Sequence, residues 1–385
     1  MTTFTLQLNT GPTQQELQAM GREVGLDLLR VAPALPFEDT ERIYLERLER
    51  GLLGEMRWIT PERIAYGCRP EELLPGARCI VIGASSYLTA LDPPERNGPM
   101  GRVGRYALND DYHDVVKRKL EALHRALEAR LGVQIQRRIS VDSGPVVDRA
   151  VAARAGLGWY GKNTNILTPE LGSWVLLGAM LLDVDLPHTP PLRKSCGSCT
   201  LCLEACPTGA LIAPGVLDSR LCISYLTIEL RGPIPRDLRP KMGAWIFGCD
   251  ICQDVCPVNR SAPVVDAPEY RARPGWGAEP DLIELMGLTD EEFRERFRGS
   301  PVKRTKRRGL LRNVAVALGN SGDPCAIPAL VRALGDPEPL VRGHAAWALG
   351  RFREPEARAA LEVSLSKEGD EWVREEIGLS IGATA

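Results

Sequence analysis

Apolar residues change their period several times along the first 190 positions of the chain. Thr13-Gln14-Gln15-Glu16 has the form of a capping box, and Leu17, Met20, Val24 and Leu28 follow at helical spacing, which predicts a helix there. A second helix is expected over 39–50. Arg78-Cys79-Ile80-Val81-Ile82-Gly83 is a short apolar run behind Pro75-Gly76 and reads as a buried strand. A long amphipathic helix is expected over 110–131, apolar at Val116, Leu120, Leu123 and Leu127 and stopped by Gly132. Val133, Ile135, Ile139 and Val141 suggest another strand, 145–155 a helix starting behind a proline, and 165–168 and 174–182 the last strands. Mixed strands and helices over this length predict an α/β domain over 1–190, closed by Pro187, Pro190 and Pro191.

The second half reads differently. Positions 261–280 are rich in proline and glycine and read as a linker; 281–297 is helical, with Thr289-Asp290-Glu291-Glu292 as a second capping box. Ala-Leu-Gly then recurs at 317–319 and 348–350, and Asp323-Pro324 matches Glu354-Pro355 at the same 31-residue offset. Val373-Arg374 opposite Val341-Arg342 makes a looser third copy, so the period predicts a short HEAT-like helical array. The expected organisation is α+β and multidomain: 1–190 α/β, 191–262 a two-cluster ferredoxin-like module, 263–300 linker and helix, and 301–385 the array.

The module follows from cysteines. Cys196, Cys199, Cys202 and Cys206-Pro207 form the C-x2-C-x2-C-x3-C-P run of two-cluster ferredoxins, and Cys222, Cys249, Cys252 and Cys256-Pro257 form the second set. The cysteine before proline reaches the other cluster, which pairs Cys196, Cys199, Cys202 and Cys256 on one 4Fe-4S cluster. Cys206, Cys222, Cys249 and Cys252 then hold the other. Zinc prefers two CxxC pairs, and disulfides suit secreted chains, whereas positions 1–5 show no basic stretch leading into an apolar core. Cys68, Cys79 and Cys325 stand alone and are expected to be small buried apolar groups.

Composition is ordinary for a soluble globular chain, 44% hydrophobic and 25% charged, with no apolar run near the ~20 residues that span a bilayer. A net charge of −2 gives the whole molecule no attraction for nucleic acid, so any such attraction must be local. The candidate patch is Lys303, Arg304, Lys306, Arg307 and Arg308, followed by Arg312, at the entrance to the array; its plain alternative is a solvated helix face. Gly156-Leu157-Gly158-Trp159-Tyr160-Gly161-Lys162-Asn163 could bring backbone and a lysine to a ligand, or be a tight turn; it has no Walker spacing. Asp142, at a strand end before Ser143-Gly144-Pro145, is either a helix cap or a proton donor in a pocket.

Together these pieces resemble the epoxyqueuosine reductases of tRNA queuosine synthesis. The resemblance covers nearly the whole chain and rests on Asp111-Tyr112-His113, Val141-Asp142-Ser143, Ala155 to Trp159 with Gly161-Lys162-Asn163, Cys222 to Glu229, Gly248 to Gln253, and both cysteine runs. It implies reduction of epoxyqueuosine to queuosine at the wobble position, with cobalamin fed by the two clusters and Asp142, protonated in an apolar pocket, as acid. It places Arg63, Gly104, Arg105, Asp142, Gly158, Trp159, Gly161, Lys162, Asn163, Ser224 and Tyr225 around the corrin, and makes His113 structural rather than axial. It implies a tRNA anticodon stem-loop held by the Lys/Arg stretch, a low-potential electron donor, and a cytoplasmic, monomeric protein. A cobalamin-dependent reductive dehalogenase and a ferredoxin-type electron carrier are the alternative readings.

Overall fold

The computed structural model describes residues 11–91, 98–273, 276–277 and 279–383. Positions 1–5, and 274, 275 and 278 of the expected linker, lie outside these. Five helices of the first domain are α1 (Gln14–Glu23), α2 (Glu38–Glu49), α3 (Pro61–Cys68), α4 (Tyr112–Leu131) and α5 (Asp148–Arg154). They surround a sheet of β1 (Leu28–Pro33), β2 (Cys79–Ser86), β3 (Arg137–Ser140) and β4 (Val175–Leu182), in the order β1-β2-β4-β3 with every pairing antiparallel.

Strand alternation divides the sheet's side chains between two cores. Leu29, Val31, Cys79, Val81, Met180 and Leu182 join Leu17 of α1 and Val116, Leu120 and Leu123 of α4. Leu28, Ala32, Ile80, Ile82, Ala179 and Leu181 join Ile64 of α3 and Val151 of α5. Each Val, Leu, Ile or Met among these that is fully buried is worth ~1.5–3 kcal/mol. Strand β2, buried at every position, is accordingly apolar from Cys79 to Ala84 before ending in Ser85 and Ser86. At Gly178 a Cβ would come within 2.5 Å of Val116 and 2.8 Å of Leu120, so α4 lies directly on the strand backbone.

Two expectations shift here. Leu28, read as the last apolar position of the first helix, opens β1 instead, because α1 ends at Glu23 and Gly25 turns the chain at φ +85°. The 133–141 strand contracts to Arg137–Ser140. By contrast α4 stops at Gly132, φ +70°, as its pattern predicts, and starts two residues after the expected 110, behind an Asp111 cap.

The cluster region and the C-terminal array share one core. Ile223, Leu226, Trp245 and Phe247 pack in the same cluster as Leu310, Val314 and Leu330 of the array. The predicted 281–297 helix is two short ones, Leu282–Met286 and Asp290–Arg296, parted at Gly287, and Thr289 and Glu292 make the expected capping box. Trp276, Leu282, Phe293 and Phe297 are buried in that same core, so this part of the expected linker is a packed bridge.

The array consists of α6 (Lys306–Ser321), α7 (Ile327–Ala333), α8 (Pro339–Leu349), α9 (Pro355–Leu365) and α10 (Glu371–Ala383). Its repeated Ala-Leu-Gly has a steric reason. A Cβ on Gly319 would lie 2.8 Å from the Ala348 backbone, and one on Gly350 would lie 2.7 Å from Ser380, so each glycine sits where another helix crosses. Such contacts offset the ~1 kcal/mol that glycine costs inside a helix.

Four sequence expectations in this half are corrected. Arg312 is not a surface cation: it is 1% exposed and donates to the carbonyls of Leu226, Leu230 and Gly232 at 2.6–2.8 Å. Arg307 is also largely inward, bonded to the Leu288 carbonyl at 2.6 Å and ion-paired with Asp336. Cys325 is exposed rather than buried. The basic stretch is not one helix either, since Pro301–Thr305 is a 3-10 turn and Lys306 opens α6 at φ +58°.

Candidate active site

Asp142 follows the end of β3 and faces α4. Its backbone adopts φ +46°, a left-handed conformation that a non-glycine residue keeps only when its surroundings enforce it. Two contacts do so. The Asp142 amide donates to Asp148 Oδ2 at 3.0 Å, and Arg63 donates to the carbonyls of Ser143 (2.9 Å) and Gly144 (3.4 Å). The loop also lies on α3, where a Cβ on Gly67 would come 2.0 Å from the Pro145 carbonyl oxygen.

The Asp142 carboxylate meets two side chains from the first turn of α4. Tyr112 donates its hydroxyl to Oδ2, and His113 Nε2 lies 3.4 Å from the same oxygen. On its other side His113 Nδ1 is 2.7 Å from Asp111 Oδ1, and Lys303 Nζ is 3.0 Å from Asp111 Oδ2. A chain of contacts thus runs from Lys303 through Asp111 and His113 to Asp142, whose side chain stays 58% exposed and open to a substrate.

This arrangement decides where the proton sits. Burial disfavours a charge on His113, but its bonds to Asp111 and Asp142 outweigh it and raise the imidazole to about 9. Burial would raise Asp142, yet His113, Tyr112 and the charge of Arg149 hold it below the usual carboxylate range. The sequence expectation of an Asp142 kept neutral by apolar surroundings is therefore corrected: the proton rests on His113. Asp148 behaves oppositely, its carboxyl raised by burial and then by the neighbouring Asp142 charge, with Oδ1 buried and unpartnered.

The other predicted residues line the seam between sheet domain and cluster region. The Gly104 amide bonds to the Phe247 carbonyl at 2.7 Å, and the Arg105 amide to Asp250 Oδ2 at 2.8 Å. Tyr106 then joins this turn to Tyr112 edge-on, with ring centroids 5.9 Å apart. Gly158 to Asn163 is a hairpin turn with ties across the seam: Lys162 donates to Gly197 O at 2.8 Å and Asn163 to Cys252 O at 3.2 Å. Gly161 belongs to this turn, its amide bonded to Asn165 O at 2.8 Å. Trp159 leaves its indole N–H buried without a partner. Ser224 is half-buried, while Tyr225 is buried over Gly54 with its hydroxyl accepting from the Glu55 amide at 2.7 Å.

The eight module cysteines gather behind this seam. The Cys202 thiol is pushed up by burial and then by Cys196, Cys256 and Cys199. Burial pushes Cys249 up to about 12, with Cys222 and Cys206 among its neighbours, and Cys252 is raised by burial and by Cys249, Cys222 and Cys202. Neighbouring thiols of this kind, which resist ionising without a metal, suit multi-iron clusters, which bind them as thiolates.

Tyr112, the His113 proton, Asp148 and the Lys303–Asp111 contact are features that sequence reasoning missed. Asp111-Tyr112-His113 did signal importance as a distinctive triplet, but only the fold brings it to Asp142.

Comparison with known proteins agrees with this geometry. Residues 68–143 match the family profile described as epoxyqueuosine reductase QueG, 195–259 the 4Fe-4S double cluster binding domain, and 306–382 the HEAT repeats. An epoxyqueuosine reductase of Escherichia coli (strain K12) is 37% identical over 364 residues, 94% of this chain and 95% of that one. One from Pseudomonas aeruginosa is 40% identical, covering 88% of this chain and 94% of that one. Among solved structures, an epoxyqueuosine reductase with a tRNA-Tyr epoxyqueuosine-modified stem loop superposes with a TM-score of 0.90 at 35% identity, over 96% and 98% of the two chains. A Bacillus subtilis enzyme, solved with the loop of its catalytic aspartate swung out of the active site, gives 0.89 at 34% identity over 97% and 99%. Identity of this extent, over almost the full length of both partners, means that the chain belongs to the epoxyqueuosine reductase family of oxidoreductases, whose cofactors are cobalamin and two 4Fe-4S clusters.

Proposed function

We propose that this protein removes the epoxide oxygen of epoxyqueuosine at the wobble position of a tRNA, giving queuosine and water. The observation that carries the reading is the run of contacts from Lys303, on the basic stretch, through Asp111 and His113 to the exposed Asp142 carboxylate. A phosphate backbone held at the stretch would bring the adjoining loop base to that carboxylate.

Cobalamin, when bound, supplies the strongly reducing centre for opening the epoxide, and the two clusters pass it electrons. The residues that would hold it are Gly104, Arg105, Gly158 and Trp159 on one side of the seam and Ser224 on the other. The unpartnered Trp159 Nε1 and the close-packed Gly104 turn support this, a Cβ on Gly104 lying 3.2 Å from Tyr106. Arg63, Lys162, Asn163 and Tyr225 already bond to protein groups and brace the walls. One cluster takes Cys196, Cys199, Cys202 and Cys256; the other takes Cys206, Cys222, Cys249 and Cys252.

Losing the epoxide oxygen as water consumes protons as well as electrons. Asp142 is the group that touches the substrate oxygen: a carboxylate at rest, it relays to that oxygen the proton stored on His113, whose imidazolium is held by Asp111. Asp148 and Arg63 keep the Asp142 loop in place. Lys303, Lys306 and Arg308 meet tRNA phosphates and Arg304, ion-paired with Glu229, flanks the bound loop, while Arg307 and Arg312 serve packing. One copy is sufficient, since every group named lies on a single chain, and a low-potential donor is required. Among the described residues no helix is long and apolar enough to cross a membrane. A pure electron carrier would have no use for the Asp142–His113 pair.

The test is conversion of a stem-loop carrying epoxyqueuosine by cofactor-loaded protein and a low-potential reductant, followed by nucleoside digestion. Queuosine replacing epoxyqueuosine supports the proposal; untouched epoxyqueuosine at full iron and cobalamin occupancy overturns it.

A further inference from the structure

A groove beside the Asp142 loop shares Arg63 and Pro145 with the contacts described above and extends beyond them. It is lined by Trp58, Glu62, Arg63, Tyr66, Arg138 and Pro145. Trp58 is 41% exposed, and among the described residues it is the one tryptophan on the open surface; the others are buried or half-buried. A lone exposed apolar side chain is ordinary, so the argument rests on what surrounds it. The Arg304 guanidinium stands over the Trp58 ring at 5.5 Å, and Arg138 stands over Tyr66 at 5.5 Å. Arg304 is held from behind by Glu229 at 2.8 Å and through its carbonyl by Arg231 at 2.9 Å. At the other end Arg63 reaches the Ser143 carbonyl, so the inner wall of the groove is the Asp142 loop itself.

We propose that this groove stacks an unpaired nucleobase of the tRNA loop, a neighbour of the base that enters the Asp142 cleft. The inference rests on the proposed tRNA substrate and names a contact site for it. Drawing one base out of a loop strips its neighbours of stacking partners, and single-stranded RNA is held by aromatic and guanidinium faces that replace them. Trp58 and Tyr66 offer the faces, and Arg138 and Arg304 offer the cations. The position suits a neighbouring base, because the groove lies between Arg304 of the basic stretch and the loop that carries Asp142. Glu62 is the one acid in the lining and is exposed. A carboxylate there accepts from the N–H edge of a base but repels phosphate, which places base rather than backbone in the groove. Stacking reads no sequence, so the site tolerates any base.

The test uses the full, cofactor-loaded chain with Trp58→Ala and Trp58→Phe. Affinity for an unmodified anticodon stem-loop RNA is read by fluorescence anisotropy across a salt series, and cobalamin affinity by absorbance. The Ala variant should bind the stem-loop roughly five- to a hundred-fold more weakly, with the slope of log affinity against log salt unchanged, because no phosphate contact is lost. The Phe variant keeps a ring and should retain most of the affinity, and cobalamin affinity should match the parent in both. Equal stem-loop affinity of the Ala variant and the parent overturns the proposal. So does a loss confined to cobalamin, which assigns the groove to the cofactor, and so does an equal loss in both variants. If the parent fails to convert epoxyqueuosine while Trp58→Ala still weakens RNA binding, the proposed reaction fails and the stacking site stands.

Discussion

Arg312→Met separates a phosphate contact from a packing role more cleanly than any change in the exposed stretch. Methionine keeps much of the stem but abandons the carbonyls of Leu226, Leu230 and Gly232 and the Asn313 side chain. Bonds from a charged donor are worth about 1.5–3 kcal/mol each, so the loss from the three carbonyls alone is several kcal/mol. Part is recovered, because the site disfavours the charge. Burial, and then Arg231, Arg308 and Arg239, push the guanidinium down from 12.5 to about 9, which at 1.36 kcal/mol per unit corresponds to about 5 kcal/mol. Set against the three carbonyl bonds, this leaves a net destabilisation of up to about 4 kcal/mol, to which the two lost bonds to Asn313 add. It should show as a lower urea midpoint in anaerobic unfolding of the cofactor-loaded protein. Stem-loop affinity at a temperature where the variant is folded should keep the parent's salt slope. Parental stability combined with a flattened salt slope would refute the reasoning and return Arg312 to the RNA-binding surface.

The site and the stretch make three further outcomes testable. His113 is raised above its ordinary 6.5 to about 9, so its proton is fully held below ~6.5 and is lost as pH rises through about 9. Turnover of the stem-loop should therefore fall above about 9, and His113→Gln should be slower and lack that limb; an identical alkaline limb in the variant contradicts His113 as the proton store. Replacing Lys306 and Arg308 together with Ala should flatten the salt slope of stem-loop binding by about one to two units. Arg307→Ala, which breaks the Asp336 pair, should lower stability and leave that slope alone.

What could be read from the sequence was local. The cysteine runs state their chemistry through spacing, since three thiols within seven residues can grip one cluster wherever the module lies. The stop of α4 was equally legible, because Gly132 acts on its own turn, whereas its start came two residues later than expected, behind Asp111. The 31-residue recurrence gave the array, and the structure adds why glycine ends each copy. What could not be read depends on residues far apart in the chain. Arg308 and Arg312 lie one helical turn apart, yet only Arg312 is covered, by the carbonyls of 226–232. His113 and Asp142 meet through the packing of α4 beside β3, and that contact, rather than apolar burial, sets their protonation. Lys303, which the sequence places beyond the linker, reaches Asp111 because the linker's second half is packed into the core.

The proposed reaction depends on delivery of a proton by Asp142, and Asp142→Asn removes it. Asparagine keeps the size and an acceptor for Tyr112 but cannot act as an acid near neutral pH. Single-turnover conversion of epoxyqueuosine stem-loop should be followed anaerobically at matched iron and cobalamin content. The account predicts near-parental stem-loop and cobalamin affinity with the rate of queuosine formation down by roughly a hundredfold or more. Queuosine formed at the parental rate would contradict it, and would leave Asp142 as a loop contact.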